Sequence, residues 1–289
     1  MYSNEIVVAK SRRLPSFFFC WCLYTNWMCV CNTGLSDGPV AVPQSAPTTD
    51  AFTFVRIKYD SSGGYGESWY SYEGRDWQRW ETDYPSGEKN LLLRLDQLTS
   101  LRVANEPIVL RLTDAALRDY PFIFMSDIGW QVLSQAEAER LSDYLEGGGF
   151  LWIDDFWGDA ELQNLFENTK RLGSQWRWQT IPPDHEILRT VYPLKRCPQI
   201  PAKIFYEHSG LTRDPSYVHR QPTGGDQGLM HVSFFGLFDR HNRLCAIATH
   251  NTDCADGWER EGEDHEYFKR FSIDAYAFAI NVICYAMTH

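Results

Sequence analysis

The stretch "THNTDCADGWE", residues 249–259, places His250, Asn251, Asp253, Asp256, Trp258 and Glu259 directly after the apolar run "RLCAIA". A second polar cluster, "DDFWGD", follows "FLWI" and carries Asp154, Asp155, Trp157 and Asp159. A third, "PPDHEI", holds Asp184 and His185 on a loop stiffened by Pro182 and Pro183. Carboxylates and an imidazole brought together can exchange protons with a substrate, or hold a divalent metal that activates water. Asn251 can donate and accept, whereas an ionised Asp253 only accepts, so the set can also grip a hydroxyl-rich ligand. Each cluster has a plainer alternative. Asp154 and Asp155 are suited to capping the next helix, because helix N-termini favour carboxylates. His185 can bond to nearby backbone, and residues 250–259 can form a solvated acidic turn with Trp258 covering the core.

The spacing of apolar residues says which elements would position these groups. "FTFVRIKY" alternates and reads as a strand. "EKNLLLRLDQLTS" puts Leu91, Leu92, Leu95 and Leu98 on one helical face. "PFIFMS" and "FLWIDD" are continuous apolar runs of strand length, as expected of strands covered on both sides. Between them "SQAEAERLSDYLEGGG" carries a capping box, Ser134 and Glu137, and Gly147 is expected at the left-handed position after the helix. Strand, helix and strand with so short a return make a parallel crossover unit. "AKIFYEH", "HVSFFGLFD" and "RLCAIATH" read as further strands. "SIDAYAFAINVICYAMTH" reads as a closing core helix, apolar except for Asn281, and too short and interrupted to span a membrane. The fold class is therefore α/β. In such sheets ligands bind beyond the carboxyl ends of the strands, where the first two clusters fall.

Composition narrows the function classes. A formal charge of −11 and the lack of a basic stripe exclude nucleic acid as a partner. No multi-span membrane part is expected, and protein partners are not indicated. "KSRRLPSFFFCWCLYTNWMCVC" runs from basic to apolar to polar, the order of a secretory signal. Residues 1–31 are thus expected to be a signal peptide or N-terminal anchor, and 32–50, rich in Pro, Ser, Thr and Gly, a flexible linker. One α/β domain is expected over 51–289, exported to the periplasm or the exterior. Cys20, Cys22, Cys29 and Cys31 serve as apolar filler in the signal; Cys197, Cys245, Cys254 and Cys284 read as small buried hydrophobes. No nucleophile elbow, H-E-x-x-H, Walker loop or dinucleotide fingerprint occurs. Asp253–Gly257 is a near miss to a calcium loop, with the wrong internal spacing. Tyr65, Trp69, Tyr70, Tyr72, Trp77, Trp80 and Tyr84 either stack on a sugar or pack their loop onto the domain.

Together, "NLLLRLDQLT", "YPFIFMSD", "LSDYLEGGGFLWIDDFWG", "PPDHEIL", "PQIP", "HNTDCADGWERE" and "INVICYAMTH" resemble a bacterial domain-of-unknown-function family, numbered forty-one fifty-nine, from about Phe52 to His289. More distantly, "LSQAEAERLSDYLEGGGFLWID", "DHEI" and "RLCAIATH" resemble trehalose-utilisation-type proteins within the class I glutamine amidotransferase-like fold. That likeness implies a flavodoxin-like layered sheet, largely parallel, with a C-terminal core helix. The chain departs from it at "WIDDFWG", where Asp154 or Asp155 stands in place of the nucleophilic cysteine, which puts thiolate chemistry in doubt.

Three readings follow. The first is binding of a small polar ligand such as a carbohydrate by Asp154, Asp155, Trp157, His185, His250, Asn251, Asp253, Asp256, Trp258 and Glu259. The second is a hydrolase in which Asp155 and His250 act as acid and base, or as ligands of a divalent metal. The third is a scaffold domain without ligand. No cofactor is specified; a divalent metal is the one that the residue types admit. If residues 1–50 contribute nothing to the core, a chain beginning at Asp50 melts as cooperatively as the longer one; a broadened transition would show that the segment packs into the domain.

Overall fold

A computed structural model describes residues 50–210, 212 and 231–289, all within one compact unit, Pro47–His289. The expected signal, the linker up to residue 49 and their four cysteines lie outside the described residues. In chain order the strands are β1 Val55–Ile57, β2 Asp60–Ser61, β3 Trp69–Tyr72, β4 Arg75–Gln78, β5 Ile108–Leu110, β6 Phe122–Ser126, β7 Gln131–Val132, β8 Phe150–Phe156, β9 Arg177–Thr180, β10 Ser233–Phe238 and β11 Leu244–His250. The α-helices are α1 Ser86–Leu98, α2 Gln135–Glu146, α3 Gly158–Thr169, α4 Lys203–Ser209, α5 Cys254–Glu259, α6 His265–Tyr267 and α7 Ile273–Thr288.

Seven strands form the central sheet in the order β5-β1-β6-β8-β11-β10-β9. The first five run parallel, and β10 is antiparallel to both β11 and β9. Side chains alternate across it. Phe122, Phe124, Phe150 and Trp152 face a core shared with α1, α5 and α7, while Ile123, Met125, Leu151 and Ile153 face a second core beneath α2 and α3. All seven residues of β8 are buried, as expected of a strand covered on both faces. This is an α/β layered fold of flavodoxin-like type, closed by the C-terminal helix.

Most of the expected elements occur, with instructive exceptions. "AKIFYEH" is the helix α4 rather than a strand. Its first amide is bound by the Asp256 carboxylate, Lys203 pairs with Glu207 one turn on, and Gly210 ends it in the left-handed conformation. Tertiary capping here outweighs the β propensity of Ile204, Phe205 and Tyr206. Leu98 lies at the end of α1 and is exposed, whereas Leu91, Leu92 and Leu95 are buried. The capping box at Ser134 and Glu137 is present, but Gly148, not Gly147, takes the positive φ (99°) after α2. The helical run at the C-terminus extends from His265 to Thr288, through a π-type turn at Phe268–Ser272, and so has the length and composition to cross a membrane; its apolar window is 67% buried in the core. Asn281, fully buried within it, accepts from the amides of Val191 and Tyr192 and donates to the Tyr192 carbonyl.

Leu145 of α2 is fully buried and Glu139 exposed. Leu145→Ala is expected to cost about 2–5 kcal/mol and Glu139→Ala roughly 0.5 kcal/mol or less. Equal denaturation midpoints for the two variants would contradict the packing of α2.

Candidate functional site

Strands β8 and β11 are parallel neighbours, so the polar segments after them emerge at one edge of the sheet. Between them the register slips: Ala248 pairs with Ile153, but His250 pairs with Phe156, leaving one extra residue on β8. Asp155 sits in that bulge with φ 54°. A bulge re-aims a side chain, and here it gives the adjacent aspartates different tasks. Asp154 is fully buried and accepts from the amides of Cys254 (2.7 Å) and Ala255 (3.1 Å) and from the Thr249 hydroxyl (2.5 Å). It therefore caps a helix, as the plainer reading allowed, but that helix is α5 and not the α3 that follows it. Asp155 instead lines a cavity of about 590 Å³ together with Asp127, Trp157, Asp253 and Asp256.

The other cavity groups come from two further places. Asp127 follows β6 at φ 56°, with its backbone held to the Asp154 carbonyl. Its carboxylate accepts from Arg79 Nη1 (2.7 Å) and Thr82 Oγ1 (2.9 Å). Arg79 also binds the carbonyls of Glu67 and Gly66, and so ties the β3–β4 hairpin to the sheet edge. That hairpin brings Tyr70 and Tyr72 to the cavity. Asp83 arrives from the loop after the hairpin, at φ 65°. On the opposite flank Arg260 pairs with Asp256 (3.3 Å), Glu259 (2.6 Å) and Glu263 (2.8 Å), and lies 5.7 Å from the Tyr72 ring centre.

Carboxylates dominate this lining. Asp83, Asp127, Asp155, Glu161, Glu207, Asp253, Asp256 and Glu263 face only Arg79, Lys203 and Arg260 as strong bases among the described residues. Burial raises the proton affinity of Asp83, Asp127, Asp253 and Asp256, since a charge in poor solvent is disfavoured. It pushes Asp127 up to about 8, with Asp155 adding to the rise and Arg79 opposing it. Glu259 rises to about 7 and Asp256 to about 6, each chiefly by burial. Asp83 and Asp253 are raised well above the usual carboxylate range by burial, reinforced by Asp256 and Asp155 respectively. Asp154, outside the cavity, is also pushed up to about 7 by burial, against the pull of Thr249 and the α5 amides.

The structure thus brings together Asp155, Trp157, Asp253 and Asp256, with Glu259 beside them. Trp157 donates its indole N–H to Asp155 Oδ1 (2.8 Å). His250 and His185 do not join this cavity. The His250 ring packs 4.9 Å from Phe156, its Nε2 donates to the Gly158 carbonyl (3.0 Å), and burial lowers its proton affinity. The cavity that Asp155 lines is therefore not the pocket expected to be shared by Asp155, His185 and His250. His185 accepts from the Ile187 amide through Nδ1 (3.2 Å) and packs near Tyr285. Asn251, at φ 63°, joins segments: it accepts from the Gly158 amide (2.9 Å) and donates to the His231 carbonyl (2.8 Å). Trp258 is fully buried, 5.4 Å from Trp152, and belongs to the core. Asp83, Asp127, Arg79 and Arg260 were not expected from sequence. Asp127 obeys the strand-end rule that pointed to Asp155; Asp83, in an irregular loop, gives no such signal.

These raised proton affinities fix the sign of a pH effect. A carboxyl whose folded pKa exceeds its unfolded value stabilises the fold in its protonated form and loses that contribution as pH rises through the folded value. Between pH 6.5 and 9 Asp127, Glu259 and Asp154 ionise, while burial lowers the proton affinity of His250 and of half-buried His185. In chelator-treated buffer the melting temperature should fall across this range by roughly 2–4 °C or more, the equivalent of about 1 kcal/mol. A flat or rising profile would contradict the burial of these groups.

No curated protein matches the chain. The family model described as "Domain of unknown function (DUF4159)" matches residues 53–287, which include every residue lining the cavity. The chain belongs to that domain family.

Proposed function

We propose that the cleft binds a small, hydroxyl-rich ligand, such as a carbohydrate, that carries no negative charge. The observation behind this reading is the lining itself, in which clustered carboxylates stand beside Tyr70, Tyr72 and Trp157. Carboxylates accept hydrogen bonds from hydroxyls and repel anions, while aromatic faces cover the apolar side of a sugar ring. The volume, about 590 Å³, suits a small-molecule site. The position beyond the carboxyl ends of parallel strands supports the same view. Among the described residues no cysteine lines the cavity, and burial raises the proton affinity of all four thiols, so the reading within an amidotransferase-like superfamily is of a member that does not use a thiolate. We further read residues 1–31 as an export signal or anchor, on their basic-to-apolar-to-polar order.

A hydrolase is the second reading. It is favoured by Asp127, whose proton affinity near neutrality is set partly by the charge of Asp155. A carboxyl that titrates near neutrality can give up and take back a proton, as an acid–base step requires. In this reading two aspartates replace the pair of Asp155 and His250.

A panel of neutral sugars and polyols, set against sugar phosphates, tests the binding reading by thermal shift. At a hundredfold excess over its Kd a fitting neutral ligand should raise the melting temperature by roughly 5–10 °C, and Trp157→Ala should abolish the shift. Stabilisation by the phosphates alone, or by no compound at millimolar concentration, would refute it.

A further inference from the structure

We infer that the open edge of β9 binds an extended, acidic peptide segment of another protein as an added strand. β9 ends the central sheet and pairs, among the described residues, only with β10. The Ile181 amide donates to the Phe234 carbonyl (2.8 Å), which fixes the alternation of this antiparallel ladder. The backbones of Arg177 and Gln179 accordingly turn toward β10, and those of Trp178 and Thr180 turn outward. Each outward residue presents one N–H and one C=O that no group among the described residues takes up. An added strand satisfies such groups by main-chain pairing.

An open edge alone names no partner; the two faces beside it do. On one face Trp178 and Thr180 of β9 join Phe235 and Leu237 of β10 and Phe166 of α3 around a groove of about 550 Å³. The rings of Trp178 and Phe235 are half-buried, 6.0 Å and 5.6 Å from that of Phe166, and the Trp178 indole N–H is held by the Thr169 hydroxyl (2.9 Å). Every second side chain of an added strand meets this apolar seat. The other face carries Arg177 and Gln179, both exposed. Residues 170–180 include Lys170, Arg171 and Arg177 and no acid, in a chain of formal charge −11. Lys170 pairs with Glu167 (2.6 Å), but Arg171 and Arg177 bind only the carbonyls of Leu133 and Asp239 and have no carboxylate partner among the described residues. A carboxylate on the alternate side chains of the added strand supplies that partner to Arg177. A second copy pairing through the same edge would bring the same acid-free segment and leave both arginines as they were. The partner is therefore a different chain, with apolar and acidic residues in alternation. None of the groove residues lines the acidic cleft, so this surface is independent of the ligand proposed there.

Calorimetric titration of the full chain with capped hexapeptides, valine alternating with glutamate or with lysine, tests the assignment. The glutamate peptide should bind about tenfold more tightly than the lysine peptide, and Arg177→Glu, a change at an exposed position, should reverse that order. Methylation of the backbone nitrogens of the glutamate peptide should abolish its binding to the unaltered chain, because the donors that pair with β9 are then gone. Serine in place of valine should weaken binding about tenfold by emptying the groove. No binding of the glutamate peptide at millimolar concentration, equal binding of both peptides, or undiminished binding of the methylated one would overturn the assignment. So would a dimer in sedimentation that Thr180→Pro dissociates, since proline there removes an outward N–H but no bond to β10, and the edge would then belong to a second copy.

Discussion

The buried carboxylate of Asp154 joins two segments a hundred residues apart, and the geometry of the cleft depends on that junction. Its oxygens take the first amides of α5, so the helix starts at a fixed height above the end of β8. Asp253 and Asp256, at the start of that helix, are thereby set opposite Asp155, which the bulge has turned toward them. The neighbouring Thr249 hydroxyl, bonded also to the Trp152 indole, links the same carboxylate to the core below. A charge-bearing group taken so far from water persists only where its hydrogen bonds are satisfied, and Asp154 meets that condition with backbone donors and a hydroxyl.

The edge of the sheet is also where the backbone is least relaxed. Asp83, Asp127, Asp155 and Asn251 all take positive φ without being glycine. Asp and Asn adopt this conformation more readily than other residues, at a cost that is still of order 1 kcal/mol. Three of the four line the cleft and the fourth ties its supporting segments. Glycine would relieve the backbone at each place, but would remove the carboxylate or amide that the place presents.

This arrangement shows what the sequence makes legible. The layered sheet, the crossover through α2 and the core helix α7 follow from apolar periodicity, which reports burial directly. The polar clusters after β8 and β11 follow from the strand-end rule, and the sheet order makes them neighbours. The direction of each side chain does not follow. A one-residue bulge sends Asp154 and Asp155 to different partners, and His250 packs against Phe156 without lining the cavity. Asp83 and Arg79 belong to a hairpin and loop whose contacts are entirely tertiary, so no local pattern announces them. In α4 the deciding contact, from Asp256 to the Lys203 amide, spans 53 residues.

The placement of α7 has a consequence for biosynthesis. Phe122, Phe150 and Trp152 are in place by residue 152, yet α7, which covers their face together with α1 and α5, begins only at Ile273. The loop at Val191 and Tyr192 likewise has open amides until Asn281 is made. On the ribosome the part of this face that α7 covers therefore stays bare while some 120 further residues are added, at about 5–20 residues per second. Folding of this layer cannot proceed step by step with synthesis. For those seconds a broad aromatic surface stands open to chaperones and to other nascent chains.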